Sequence, residues 1–130
     1  MSMLDLTQKD VMRGVPVDPP GWYTVKITNV GEGVPSKAGD STNISFDGEI
    51  IKNADSGDTK FAGFPTPNWM FNSKAPGFAV GLLRACGENV EVGRVNLKIV
   101  EGKILDVFIK QEEYQGRMVS KVDHQYRPAR

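Results

Sequence analysis

The chain has one cysteine, one histidine and no net charge among its 130 residues. It also lacks any long apolar run. Each shortage excludes a class of protein. A lone cysteine, Cys86, cannot form an internal disulfide; set in an apolar stretch, it reads as a small buried hydrophobe and points to a reducing compartment. No run approaches the roughly 18 apolar residues that span a bilayer, and the opening residues lack the charged and apolar regions of a signal peptide. A soluble, unexported chain with no membrane partner is the expectation. Sixteen basic residues balance sixteen acidic ones, so bulk charge exerts no general pull toward nucleic acid.

The catalytic inventory is equally thin. There is no nucleophile elbow, no Gly-rich phosphate loop and no paired His/Cys spacing for a metal. A Ser-His or Cys-His pair would have to use His124, which stands among Asp123 and Gln125 near the end of a strand pattern and reads as a surface or packing residue. The run from Asn53 to Asp58 superficially resembles a calcium loop, but its ligand spacing is incomplete and a polar hairpin turn explains it better. No enzyme activity, cofactor or metal is expected.

What is present is ordinary for a single folded domain: 39% hydrophobic and 25% charged residues. Residues 1–20 end in a Pro-rich lead-in and read as an N-terminal arm. Residues 22–29 alternate, with Tyr23, Val25 and Ile27 on one face and Trp22, Thr24 and Lys26 on the other, the pattern of a half-buried strand. Residues 31–40 are rich in turn formers. Alternation resumes at Thr42, Ile44, Phe46, Gly48 and Ile50, where Gly48 marks a bulge or bend. A turn at 52–58 leads to a third expected strand at 59–64, and residues 65–75 form a connection. Pro76 opens a helix whose apolar face is Phe78, Ala79, Leu82, Leu83 and Cys86, and Gly87 ends it. Residues 94–100 form a possible strand, followed by strands at 104–110 and 118–125 around a turn at 114–117.

This order predicts a mainly β fold: a five-stranded oligonucleotide/oligosaccharide-binding (OB) barrel with one short α-helix between strands three and four. The barrel domain would cover residues 21–126, leaving 127–130 as a short basic tail. Phe46, Phe78 and Phe108 are expected in the core.

A groove for single-stranded nucleic acid needs positive charge for phosphates and aromatic faces for bases. Several aromatics fall outside the core pattern: Trp22 on the polar face of the first strand, Trp69 in a connection, Tyr114 at a hairpin tip, and one of Phe61 and Phe64, whose odd spacing on a strand would turn them opposite ways. Basic residues interleave with them. From Arg94 onward eight Lys/Arg oppose five Asp/Glu, an asymmetry compatible with a basic binding face and with chance. The residues expected to contact DNA are Trp22, Lys37, Lys60, Phe61, Trp69, Lys110, Tyr114, Arg117 and Lys121. The sharpest local signal is Tyr114 beside Gly116 and Arg117, which offers a stacking ring and a phosphate contact on one hairpin.

Residues 21–27, the loop 35–40 leading into 43–46, the helix start 75–78, Gly102-Lys103 and 114–117 together resemble small bacteriophage single-stranded DNA-binding proteins of the OB type. The likeness is one of layout and short signatures from Gly21 to Pro128. It implies sequence-independent coating of single strands during phage DNA replication, recombination or repair, in the cytoplasm of the infected bacterial host. It also implies a monomer or homodimer that meets phage replication or recombination enzymes. Replicative members of the group often end in an acidic tail; this chain closes with Gln125-Tyr-Arg-Pro-Ala-Arg130. The alternatives are a non-enzymatic structural or adaptor protein of a phage using a small β-barrel for protein contacts, a barrel binding carbohydrate or another small ligand, and a metal-dependent nuclease for which no motif speaks.

Overall fold

A computed structural model describes residues 2–7, 11 and 15–130. Its elements are β1 (Gly21–Val30), β2 (Val34–Pro35), β3 (Thr42–Asn53), β4 (Met70–Asn72), helix α1 (Pro76–Ala85), a 3-10 turn (Leu97–Val100), β5 (Ile104–Tyr114) and β6 (Arg117–Pro128). The fold is mainly β: a six-stranded antiparallel sheet in the order β2-β3-β1-β5-β6, with β4 on β3. None of the helices described is long and apolar enough to cross a membrane.

β1 is the central strand because its alternation serves two partners at once. Val25 faces Ile50 of β3 on one side and Leu105 of β5 on the other, and all three are essentially fully buried. Tyr23 and Ile27 continue the same inner face. The sheet curls where the β1–β3 register shifts, between Thr24 and Val25 and again between Ile27 and Asn29. Gly48 lies opposite Ile27 at the second shift, and a Cβ there would stand 3.0 Å from both the Lys26 carbonyl oxygen and Thr66 Cγ2. A larger residue would crowd the β1 backbone and the Thr66 side chain there.

Helix α1 begins at Pro76 and stops at Gly87, whose φ of +80° suits glycine. Its buried side chains, Leu82, Leu83 and Ala85, face the sheet, and it packs mainly on β6. Phe78 departs from expectation. It lies half exposed rather than in the core and stacks on His124, ring centroids 4.5 Å apart and nearly parallel.

Two expected strands are replaced by turns. Residues 59–64 do not extend because short polar side chains capture the backbone first. Asn53 Oδ1 accepts from the amides of Asp55 and Ser56, Asp58 Oδ1 accepts from Lys60 N, and successive turns close at Ala62 and Phe64. With no strand there, the opposite-face rule for Phe61 and Phe64 does not apply: both rings meet edge to face at 5.2 Å. The third strand is instead the three-residue β4. Residues 94–100 hold the 3-10 turn, where Asn96 Oδ1 caps Lys98 N.

The sheet does not close into a continuous barrel. Its two ends meet at one isolated parallel bridge, Asn68 with Lys121, where Val122 N donates to Asn68 O at 3.1 Å. Pro65 and Pro67 lack amide donors, so the segment before β4 cannot extend that pairing.

The far end of β6 is clasped rather than free. β6 runs to Pro128, so the basic tail expected at 127–130 begins inside a strand. Asp106, fully buried, accepts from Thr24 Oγ1 at 2.7 Å and from Arg127 Nε at 3.0 Å. Arg127 also reaches Asp55 and lies 4.2 Å over the Trp22 ring. Replacing Asp106 by alanine strands the Thr24 hydroxyl and leaves the Arg127 guanidinium only its exposed partner Asp55. Asp106→Ala is expected to lower the unfolding free energy by about 3 kcal/mol in urea denaturation. A loss under about 1 kcal/mol would mean that the clasp does not hold the strand end.

Candidate nucleic-acid interface

The aromatic residues divide into a buried set and an exposed one. Trp69 and Phe71 point inward on either side of outward-facing Met70, the alternation of a strand. Trp69 is 2% exposed and packs on Phe46 and Tyr126. It is therefore core and offers no face to a base, contrary to its expected role. Phe61, 6% exposed, is likewise covered. β4 is too short for its period to be read from sequence, which is why Trp69 looked available.

A half-buried hydrogen-bond chain fixes this cluster. Trp69 Nε1 donates to the Tyr126 hydroxyl at 2.9 Å, and that hydroxyl lies 2.6 Å from His124 Nδ1. An indole N–H can only donate, so the Tyr126 oxygen accepts there and its own proton is available to Nδ1 of a neutral imidazole. Burial pushes the Tyr126 hydroxyl up and the His124 imidazole below its ordinary value, a hydrogen bond to the Met70 backbone and nearby Asp123 opposing the latter shift while Lys121 and Lys110 assist it. His124 has a φ of +43°, at the irregular stretch where β6 shifts register against β5. Its ring packs between Phe78 and Phe71, with centroids 4.5 and 4.9 Å away.

The exposed set gathers at the β5–β6 hairpin. Tyr114 and Arg117 are cross-strand partners around Gln115 and Gly116, both with positive φ, the geometry of a tight two-residue hairpin turn. Tyr114 is 57% exposed. Lys110 and Lys121 form a second cross-strand pair on the same face. Their charges are not equivalent. Lys110 lies 3.3 Å from Asp123 and 3.8 Å from Glu112, and hydrogen bonds from Gln125 and then Lys110 hold the Asp123 carboxyl below its ordinary range. Among the described residues, Arg117 and Lys121 enter no ion pair.

The other expected contacts lie apart. Trp22 shares the outer face of β1–β5–β6 but is half-buried between Phe108 and Arg127. Lys37 is exposed in the 36–40 turn, and Lys60 is exposed in the 59–63 turn with its ammonium 5.4 Å from the Phe61 ring centre. No contact described joins either lysine to the hairpin.

Beside the hairpin opens a cleft of about 340 Å³, between residues 15–17, the connection 65–68 and the first residues of β6, Arg117 to Ser120. It is the part of the seam that the Asn68–Lys121 bridge leaves unpaired. Val17 is anchored at its edge: its amide donates to Ser120 Oγ at 2.7 Å, and its carbonyl accepts from Gln111 Nε2 at 2.9 Å. Asn68, Pro65 and Pro67 were not singled out in the sequence; the Pro-Thr-Pro spacing was the available signal that this edge could not pair. No protein-family model matches the chain, and no curated protein matches it.

Burial pushes the Cys86 thiol up to about 11, away from a reactive thiolate. No group of three or more His, Cys, Asp or Glu among the described residues could hold a metal ion.

The depressed imidazole has a measurable consequence. Because the folded value lies below the unfolded one near 6.5, the unfolded chain binds the proton more readily. The stabilisation from neutral His124 is complete above that value and is lost as pH falls through the folded one. The urea midpoint is expected to decline between about pH 7 and 5. His124→Asn, which tolerates the positive φ, should flatten that decline. An unchanged slope in the variant would assign the proton to another group.

Proposed function

We propose that the protein binds single-stranded DNA without reading its sequence, and that its sheet is an OB barrel closed at a single point. The observation that carries the reading is the β5–β6 hairpin, where an exposed tyrosine is paired with an arginine that enters no ion pair among the described residues. A base can stack on Tyr114 while the adjoining phosphate meets Arg117 and Lys121. The barrel reading is supported by β1 pairing with both β3 and β5, by α1 lying between β4 and β5, and by the parallel Asn68–Lys121 bridge. The resemblance to phage proteins gives the setting: coating of single strands during phage DNA replication, recombination or repair in the host cytoplasm, beside the enzymes of those pathways.

An adaptor role is the second reading. It is favoured by the N-terminal segment, where Met3 and Leu4 are each 82% exposed and Leu6 is 64% exposed. Apolar side chains in that number on one short segment suit a protein partner.

Fluorescence anisotropy with labelled poly-dT, duplex DNA and RNA separates these readings. Binding to dT is expected at micromolar or tighter affinity, above that for duplex, and weakening with salt as phosphates release counterions. Tyr114→Ala and Arg117→Ala should each weaken it about tenfold, the latter also lowering the salt slope by about one contact. No binding by the wild-type protein even at low salt would overturn the proposal. If the wild type binds but neither variant loses affinity, the hairpin is not the site.

A further inference from the structure

The cleft beside the hairpin has the chemistry of a receptor for a flat plate with apolar faces, a polar edge and a nearby negative charge. Its walls include Pro16, Pro65, Pro67 and Val119. The two prolines of the connection present ring carbons and no amide donors. That also disfavours an added β-strand, which would need donors along the edge it joins. Two polar side chains stand at the cleft without partners among the described residues. The Asn68 amide can donate and accept at once, and the Arg117 guanidinium enters no ion pair. Ser120, by contrast, is already engaged by Val17.

Size narrows the occupant. At about 340 Å³ the cleft lies at the lower end of the roughly 300–1,000 Å³ of small-ligand pockets, enough for one nucleotide rather than several. Its position narrows it further. Arg117 lines the cleft and is also the cross-strand partner of Tyr114, while Asn68 is bridged to Lys121. A strand stacked on Tyr114 would therefore have its next nucleotide at the mouth of the cleft, with a cation on either side.

We infer that this cleft receives one unstacked base of a bound single strand, its faces against the proline and valine walls, its edge on the Asn68 amide and its flanking phosphates on Arg117 and Lys121. The inference rests on the single-stranded DNA reading and adds a subsite that stacking on the hairpin alone does not require. The base is held by shape and one bifunctional amide, so the subsite accepts any base that fits and preserves sequence independence.

The test uses short dT oligomers, each carrying one 2-aminopurine, whose emission rises when the base leaves its neighbours' stack. Anisotropy is recorded on the same samples. The wild-type protein is expected to raise emission at one or more interior positions. Val119→Trp, which fills the cleft, should abolish that rise and weaken dT binding about fivefold while leaving binding measurable through Tyr114. Should Val119→Trp fail to fold by circular dichroism, Asn68→Ala carries the test, since its side chain holds nothing in the fold. It should lower both the rise and the affinity by about threefold. Anisotropy without any rise in wild-type emission overturns the subsite while the DNA reading stands. An absence of anisotropy change overturns the DNA reading itself. If Val119→Trp alters only the oligomeric state, with emission and affinity unchanged, the cleft belongs to a protein contact and the inference fails.

Discussion

One backbone bridge, from Val122 N to Asn68 O, joins the two ends of the sheet, and the arrangement of the hairpin face follows from where that joint stops. On one side of it the core is sealed by Trp69, Phe71 and Tyr126. On the other side Pro65 and Pro67 cannot donate, the strands part, and the gap becomes the cleft. A fully paired seam would have consumed the edge of β6 along Arg117 to Ser120. An absent seam would have let solvent reach the Trp69 indole. A joint one residue long gives a sealed core and an open edge on the same strand.

Two polar arrangements hold the C-terminal part of β6, and they work by different physics. At the irregular stretch, the Trp69–Tyr126–His124 chain joins an indole, a phenol and an imidazole whose charging burial disfavours, so a neutral chain costs only the matching of donors to acceptors. Near its C-terminal end, Asp106 is a fully buried carboxylate held by a hydroxyl and a guanidinium. Burying a charge is costly unless it is paired, so the second arrangement specifies which strand end may dock there. The same Arg127 that neutralises Asp106 lies over Trp22, which explains why an aromatic on the outer face of β1 is half-covered.

Much of the fold is legible in the sequence because it is periodic or punctuated. The alternation around Val25 identifies the central strand, Pro76 and Gly87 bracket α1, and Gln115-Gly116 marks the hairpin turn. What misleads is local competition and shortness. Asn53 and Asp58 bind nearby amides and turn residues 59–64 away from a strand, an effect no hydrophobic pattern reports. β4 is three residues long, so the inward direction of Trp69 becomes visible only when Phe46 and Tyr126 are seen against it. For the hairpin residues the signal was local and the structure brings Tyr114, Arg117, Lys110 and Lys121 to one face. Trp22, Lys37 and Lys60 depended on long-range placement, which composition cannot supply. The ion pair that quiets Lys110 is likewise a cross-strand matter.

The β5–β6 ladder extends past the end of β1, whose pairing with β5 stops at Ile109. From Gln111 outward the two strands pair with no third strand among the described residues, and a two-stranded ribbon is marginally stable and strongly twisted. Val17 grips this ribbon at its root, bonding Gln111 on one strand and Ser120 on the other. The lead-in thus acts as a clamp that sets the free length of a projecting finger. Beyond the clamp, Tyr114 and Arg117 lie on the part of the ribbon that β1 does not support.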